Sequence, residues 1–113
     1  MNQMIPPSLS VEEIASTFAA LGSEQRLGVL MTLVRAGPDG LTIGDLGARS
    51  GVSGSTLTHH MKILTAAKLV RQERKGRSII CAAAAYDVVQ NLSEYLLSEC
   101  CADTEGGHKE HAK

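Results

Sequence analysis

The sequence predicts a mainly α-helical domain that carries one small β-hairpin. Three observations predict it. Apolar residues recur at steps of three and four along most of the chain. Residues able to cap helices stand just before each of the first four such runs. Around Gly76 the pattern changes to β-branched residues flanking a turn.

Taken in order, residues 1–9 form a short flexible arm, since Pro6 and Pro7 oppose helix. Ser10-Val-Glu-Glu13 has the form of a capping box and opens a first helix with Val11, Ile14, Phe18 and Leu21 as its apolar face. Gly22 ends it. Ser23 caps a second helix, for which the spacing predicts Leu27, Leu30, Met31 and Val34 as the buried stripe. Gly37-Pro38-Asp39-Gly40 stops that helix and makes a turn.

Thr42 caps a short third helix through Ser50, which Gly51 closes. Gly44 and Gly47 cost that helix about 1 kcal/mol each relative to Ala, which predicts a second backbone passing close by. Ser53 caps a fourth helix to about Ala67, with Leu57, Met61 and Leu64 facing inward. A strand from Leu69 to Arg74, a Lys75-Gly76 turn and a strand from Arg77 to Ala83 make the hairpin. A fifth helix runs from about Ala85 to Cys101, with Val89, Leu92, Leu96 and Cys100 on one stripe and Val88, Leu92 and Tyr95 beside it. Two stripes predict burial on two sides, as at a dimer interface. The domain thus spans residues 10–101, and 102–113 form a polar tail.

The order of these elements carries the functional signal. A short helix, a turn at Gly51-Val52-Ser53, a helix with small polar residues at its start and a basic hairpin make a winged helix-turn-helix. A helix fits the major groove, and its first residues reach base edges. Ser53, Ser55, Thr56, Thr58, His59 and Lys62 are the candidate DNA-facing residues of the fourth helix. Arg74, Lys75 and Arg77 at the hairpin tip are candidates for phosphate contacts, which position the protein while base contacts specify. His60, next to His59, is expected to be the more buried of the pair.

The net charge of −1 conceals an uneven distribution. From His59 to Arg77, Lys62, Lys68, Arg71, Arg74, Lys75 and Arg77 face the single acid Glu73. Beyond Ala84 the balance is acidic. A basic stretch is a phosphate footprint or simply a solvated face, and charge alone does not choose. No apolar run approaches the roughly 20 residues of a membrane span. The first residues lack the pattern of a secretory signal. Three cysteines, an odd number, point to a reducing compartment and a cytoplasmic protein. There is no Cys-x-x-Cys, phosphate loop or catalytic constellation, so an enzyme is not expected.

Phe18-Ala-Ala-Leu-Gly-Ser-Glu-Gln-Arg-Leu27, Gly51-Val-Ser-Gly-Ser-Thr-Leu-Thr-His-His-Met-Lys-Ile-Leu64 and Leu69-Val-Arg-Gln-Glu-Arg-Lys-Gly-Arg77 resemble the ArsR/SmtB repressors, over roughly Glu12 to Cys101. The resemblance implies a homodimer joined through its first and last helices, with the fourth as recognition helix. It also implies repression at operator DNA that an inducer relieves. Lys68 departs from the family, which usually has Gly there. A left-handed backbone suits Lys poorly, so the helix is expected to end differently.

The resemblance also frames the cysteines. The third helix lacks the cysteine motif of several metal-responsive members. Asp87 is present on the last helix, but without the His that a zinc site there would need. Cys100-Cys101 instead looks like the vicinal pair of some arsenical-responsive members, with Cys81 as a candidate third ligand.

Soft thiolates suit soft ions. Trivalent arsenic or antimony takes up to three, and a singly methylated trivalent arsenical takes two. Neighbours on a helix face different sides, so joint use of Cys100 and Cys101 requires a frayed helix end. A disulfide between them would be strained, because adjacent Cα atoms are about 3.8 Å apart, against the usual range of about 4.4–6.8 Å. Cys81 and Cys100 are each equally readable as core.

A zinc or cadmium site from Cys100, Cys101, His108 and His111 is an alternative, as is a redox-responsive repressor. No cofactor is obligatory. A small thiol metallochaperone is the distant alternative, and it would not need the recognition helix or the wing.

Overall fold

The computed structural model describes residues 10–84 and 86–105. Five helices and three short strands follow in the order α1 (Val11–Ala20), α2 (Glu24–Ala36), β1 (Leu41–Thr42), α3 (Ile43–Ser50), α4 (Gly54–Ala66), β2 (Val70–Lys75), β3 (Ser78–Ala83) and α5 (Tyr86–Leu97). The expected winged helix-turn-helix is present. The N-terminal arm, His108 and His111 lie outside the described residues, as do the side chains of Asp87 and Val88.

Local chemistry sets most boundaries. The capping box forms: Glu13 N–H donates to Ser10 Oγ at 3.0 Å, and Ser10 N–H donates to Glu13 Oε1 at 3.0 Å. Ser23 and Thr42 accept from Arg26 N–H and Asp45 N–H and cap α2 and α3. Ser53 stands at the head of α4 but makes no side-chain cap bond, contrary to expectation. Gly54, at φ +64°, makes the turn into the helix instead.

Within one subunit the core departs from the apolar stripes on three helices, and on α5 the bare residues are those a dimer face would use. On α2 the buried residues are Val29, Leu30 and Leu33, whereas Leu27, Met31 and Val34 are exposed. The helix carries two apolar faces that share Leu30, and apart from that residue the spacing selected the face left outside the core. On α1, Ile14, Thr17 and Ala20 are buried while Val11 and Phe18 are exposed. On α5, Leu92 is buried, but Val89, Leu96 and Leu97 are not. Exposed apolar side chains thus cover parts of α1, α2 and α5. Between α2, the base of the hairpin and α5 lies a hollow of about 490 Å³, lined mainly by Leu30, Leu33, Val34, Leu69, Ala83 and Val89.

On α4 the inward set is as expected, with Leu57, Met61 and Leu64 buried. Gly47 also meets its expectation, because a Cβ there would stand 3.3 Å from the Val52 carbonyl. Gly44 does not. Its nearest neighbour would be Thr42 Oγ1 at 4.0 Å.

The hairpin turns on Gly76 and Arg77, one residue later than expected, and its strands run from Val70 and from Ser78. It gains a third strand that sequence reading missed. β1 pairs antiparallel with β3, with Leu41 opposite Cys81, giving the order β1-β3-β2. Gly40 makes this possible: at φ +74°, a Cβ there would meet the Cys81 carbonyl oxygen at 2.3 Å.

Lys68 overturns its expectation as well. It adopts φ +66°, as a glycine would. Lys68 N–H donates to Thr65 O at 2.9 Å and Leu69 N–H to Leu64 O at 3.0 Å, a Schellman ending closed by buried Leu64 and Leu69. The apolar contact holds the strained residue in place. Lys68→Gly is therefore expected to stabilise the fold by about 0.5–1 kcal/mol. That is the remainder of a left-handed strain of about 1–2 kcal/mol after the extra freedom glycine gives the unfolded chain. Chemical denaturation reads it directly, and a lower midpoint would refute the strain.

Candidate nucleic-acid interface and thiol site

Burial of Leu57, His60, Met61 and Leu64 fixes which side of α4 faces out. Ser53, Ser55, Thr56, Thr58, His59 and Lys62 all lie on the exposed side. Thr58 Oγ1 donates back to Gly54 O at 3.3 Å, which holds the first turn. Beside that turn is a hollow of about 560 Å³ between α3 and α4, lined by Gly44, Gly47, Ala48, Gly51 and Gly54 among others.

Arg74, Lys75 and Arg77 are exposed at the wing tip, as expected. Arg71, counted in the same basic stretch, has a different task. Its guanidinium donates to Ala83 O at 3.1 Å and to Pro38 O at 3.4 Å, tying the wing base to the turn after α2.

His60 is 7% exposed and fully engaged. Nε2 lies 3.0 Å from Gln25 Oε1, and Nδ1 lies 3.5 Å from Arg26 Nη1. Arginine only donates, so Nδ1 accepts and Nε2 carries the hydrogen given to Gln25. Arg26 Nε also donates to Ala20 O at 2.8 Å, at the end of α1. Burial first, then the Arg26 and His59 charges, hold the imidazole below its ordinary pKa near 6.5. The sequence reading missed Gln25 and Arg26. A buried imidazole requires polar partners, but nothing local identifies residues 34 and 35 positions away.

The thiols separate into two settings. Cys81 is wholly buried in the core on the middle strand β3, where Gln72 Nε2 donates to its sulfur at 3.6 Å. Burial pushes that thiol up. Cys100 and Cys101 are half-buried and lie beyond α5, which stops at Leu97 rather than Cys101. Past that point the backbone makes successive short turns: Cys100 N–H donates to Leu97 O, Ala102 N–H to Glu99 O and Thr104 N–H to Cys101 O, each at 3.0 Å.

Cys101 adopts φ +65°, which takes it off the helical path, and the two sulfurs stand 3.2 Å apart. This is the unwound geometry that joint use of adjacent thiols requires. The hydrogen bond with Cys100 is the main cause that raises the Cys101 pKa, with burial and the Cys100 charge adding to it. Among the described residues no group of three His, Cys, Asp or Glu is placed to hold one ion. The structure thus brings Cys100 and Cys101 together and leaves Cys81 apart from them.

Alkylation of the native protein followed by mass spectrometry should find Cys100 and Cys101 reactive and Cys81 protected until unfolding. The Cys101 rate should keep rising with pH above neutrality, because the thiolate is the reactive form. Equal labelling of all three cysteines in the native state would place Cys81 outside the core.

Residues 21–73 match a helix-turn-helix domain family. The chain is 34% identical over 87 residues to the HTH-type transcriptional regulator NmtR of Mycobacterium tuberculosis, an alignment covering 77% of this chain and 70% of that protein. An ArsR-like transcriptional regulator from Rhodococcus sp. RHA1 superposes with a TM-score of 0.65 at 30% identity, over 81% of this chain and 82% of that one. A homodimeric winged helix-turn-helix DNA-binding domain from Mycobacterium bovis shares the fold, with a TM-score of 0.63 at 20% identity over 80% of this chain and 87% of the other. With the helix-turn-helix, its wing and the exposed face of α4 in place, this chain belongs to the ArsR/SmtB family of winged helix-turn-helix transcriptional regulators.

Proposed function

We propose that the chain is a homodimeric repressor that leaves its operator when Cys100 and Cys101 capture a thiol-binding effector, best a trivalent arsenical bearing one methyl group. The observation that carries the sensing half is the sulfur pair 3.2 Å apart in the unwound segment after α5. With bonds of about 2.3 Å, as in metal–thiolate sites, sulfurs at that separation subtend an angle of roughly 90° at a bridging atom. That is narrower than a tetrahedral zinc angle and suits a pyramidal ion with a lone pair.

Two thiols match the two exchangeable positions of such an arsenical. Each thiol hydrogen leaves with an arsenic-bound hydroxyl as water. Two arsenic–sulfur bonds replace two arsenic–oxygen bonds, and no electron or net proton is released. Inorganic arsenic or antimony takes a third thiolate, and Cys81 is sealed in the core. Zinc or cadmium would instead displace protons from the thiols.

Dimerisation is supported by the apolar side chains left bare on α1, α2 and α5. Val11, Met31, Val34 and Leu96 are each more than half exposed, and a second copy is the occupant that the relatives' architecture offers. Two recognition helices on a dimer address half-sites one helical turn apart.

The test uses a duplex selected from random DNA by the wild-type protein, with binding read by fluorescence anisotropy. Inorganic and methylated trivalent arsenic, antimony, zinc and cadmium are then added in turn. The methylated arsenical should release wild type and Cys81→Ser. Cys100→Ser and Cys101→Ser should bind DNA normally and stay bound. Release by zinc or cadmium alone, with proton release, would replace the effector assignment. Binding that no addition disturbs would remove the cysteine sensor and leave the DNA reading intact.

Arg77→Ala and Lys62→Ala should weaken selected and scrambled duplexes alike. Each should also flatten the log–log salt dependence by about 0.9 per lost phosphate contact. An unchanged slope would show that the side chain touches no phosphate.

A further inference from the structure

The inner face of α4 is mostly greasy, and contacts of that kind are non-directional. Leu57, Met61 and Leu64 set which side of the helix faces inward and leave its fine rotation to directional contacts. His60 differs, because its two ring nitrogens meet Gln25 and Arg26 of α2 in fixed directions. Arg26 in turn holds the last carbonyl of α1 through its Nε. One imidazole thus joins α4 to the corner between α1 and α2, while Ser55, Thr56 and His59 of the same helix stay exposed.

We propose that the Gln25–His60–Arg26 cluster sets the rotation of the recognition helix, and that neutral His60 is a positioning residue for operator discrimination. The proposal rests on reading α4 as the recognition helix. The cluster accepts only one protonation state. A proton on Nδ1 would remove the acceptor that faces Arg26 and set two cations against each other.

The charged and titratable groups acting on the ring are Arg26 from α2 and His59 from its own helix, and both oppose that proton. Gln25 is neutral, and α1 contributes the Ala20 carbonyl, which faces Arg26. Since the folded ring titrates below the ordinary range near 6.5, the cluster is intact at neutral pH. It is lost as the pH falls through the folded value.

The experiment compares a duplex selected by the wild-type protein with a scrambled duplex of the same composition, from about pH 8 to about pH 5, the range in which imidazoles change charge. Wild type, Gln25→Glu and His60→Gln are measured, with far-ultraviolet circular dichroism at each pH to confirm folding. Wild-type discrimination should hold near neutrality and fall about tenfold on the acid side, the loss of one hydrogen bond to a charged donor. Gln25 is on the surface, so Gln25→Glu should fold normally. Its carboxylate favours the imidazolium and should move the fall to higher pH.

His60→Gln keeps a donor and an acceptor without a titrating ring. It should discriminate near neutrality to within a few-fold and lose the part of the acid-side fall that belongs to His60. Whatever part of the fall persists in that variant is subtracted. Identical pH midpoints in wild type and Gln25→Glu would overturn the proposal, as would an undiminished fall in His60→Gln. Failure of wild type to select any duplex would overturn the recognition-helix reading itself.

Discussion

Val29, Leu30 and Leu33 of α2 are the side chains against which α3, α4 and the wing are all assembled. Full burial of each contributes about 1.5–3 kcal/mol. Once this stripe is inward, α4 must turn Leu57, Met61 and Leu64 toward it, and the hydroxyl-rich side is left to solvent. The exposed face of α4 is thus a consequence of the packing beneath it.

The wing is fixed to the same centre by a separate device. Cys81 on β3 is fully buried between β1 and β2, and Gly40 lies against its carbonyl with no room for a side chain. Arg71 adds bonds from the wing base to the turn that leads into β1. The basic tip is held from its base. Arg74, Lys75 and Arg77 are left free of structural duty in those bonds.

The sequence made the order of elements legible because capping residues and turn glycines act locally. The Ser10-Glu13 box, the Thr42 cap and Gly51 all stand where their chemistry requires. Faces were less legible. Leu27, Met31 and Val34 have the spacing of a core stripe, and so do Val29, Leu30 and Leu33. Only the tertiary contacts of α2 decide between them. β1 was invisible because two residues carry no periodicity. The wing tip and the outer face of α4 followed from element order alone. Gln25 and Arg26 did not, because their partner is far off in sequence. Lys68 shows the limit of a single-residue rule: buried Leu64 and Leu69 keep a left-handed turn that lysine itself disfavours.

Cys100 and Cys101 lie past the last helical bond of α5, in turns joined by their own backbone. Neither belongs to the buried cluster that holds α2, α4 and the wing together. Substitutions in this segment therefore place little load on folding, whereas almost any change at Cys81 or Gly40 disturbs the centre. Such an arrangement is evolvable. The chemistry in the turns after α5 can be exchanged, residue by residue, without touching the buried cluster that holds α2, α4 and the wing.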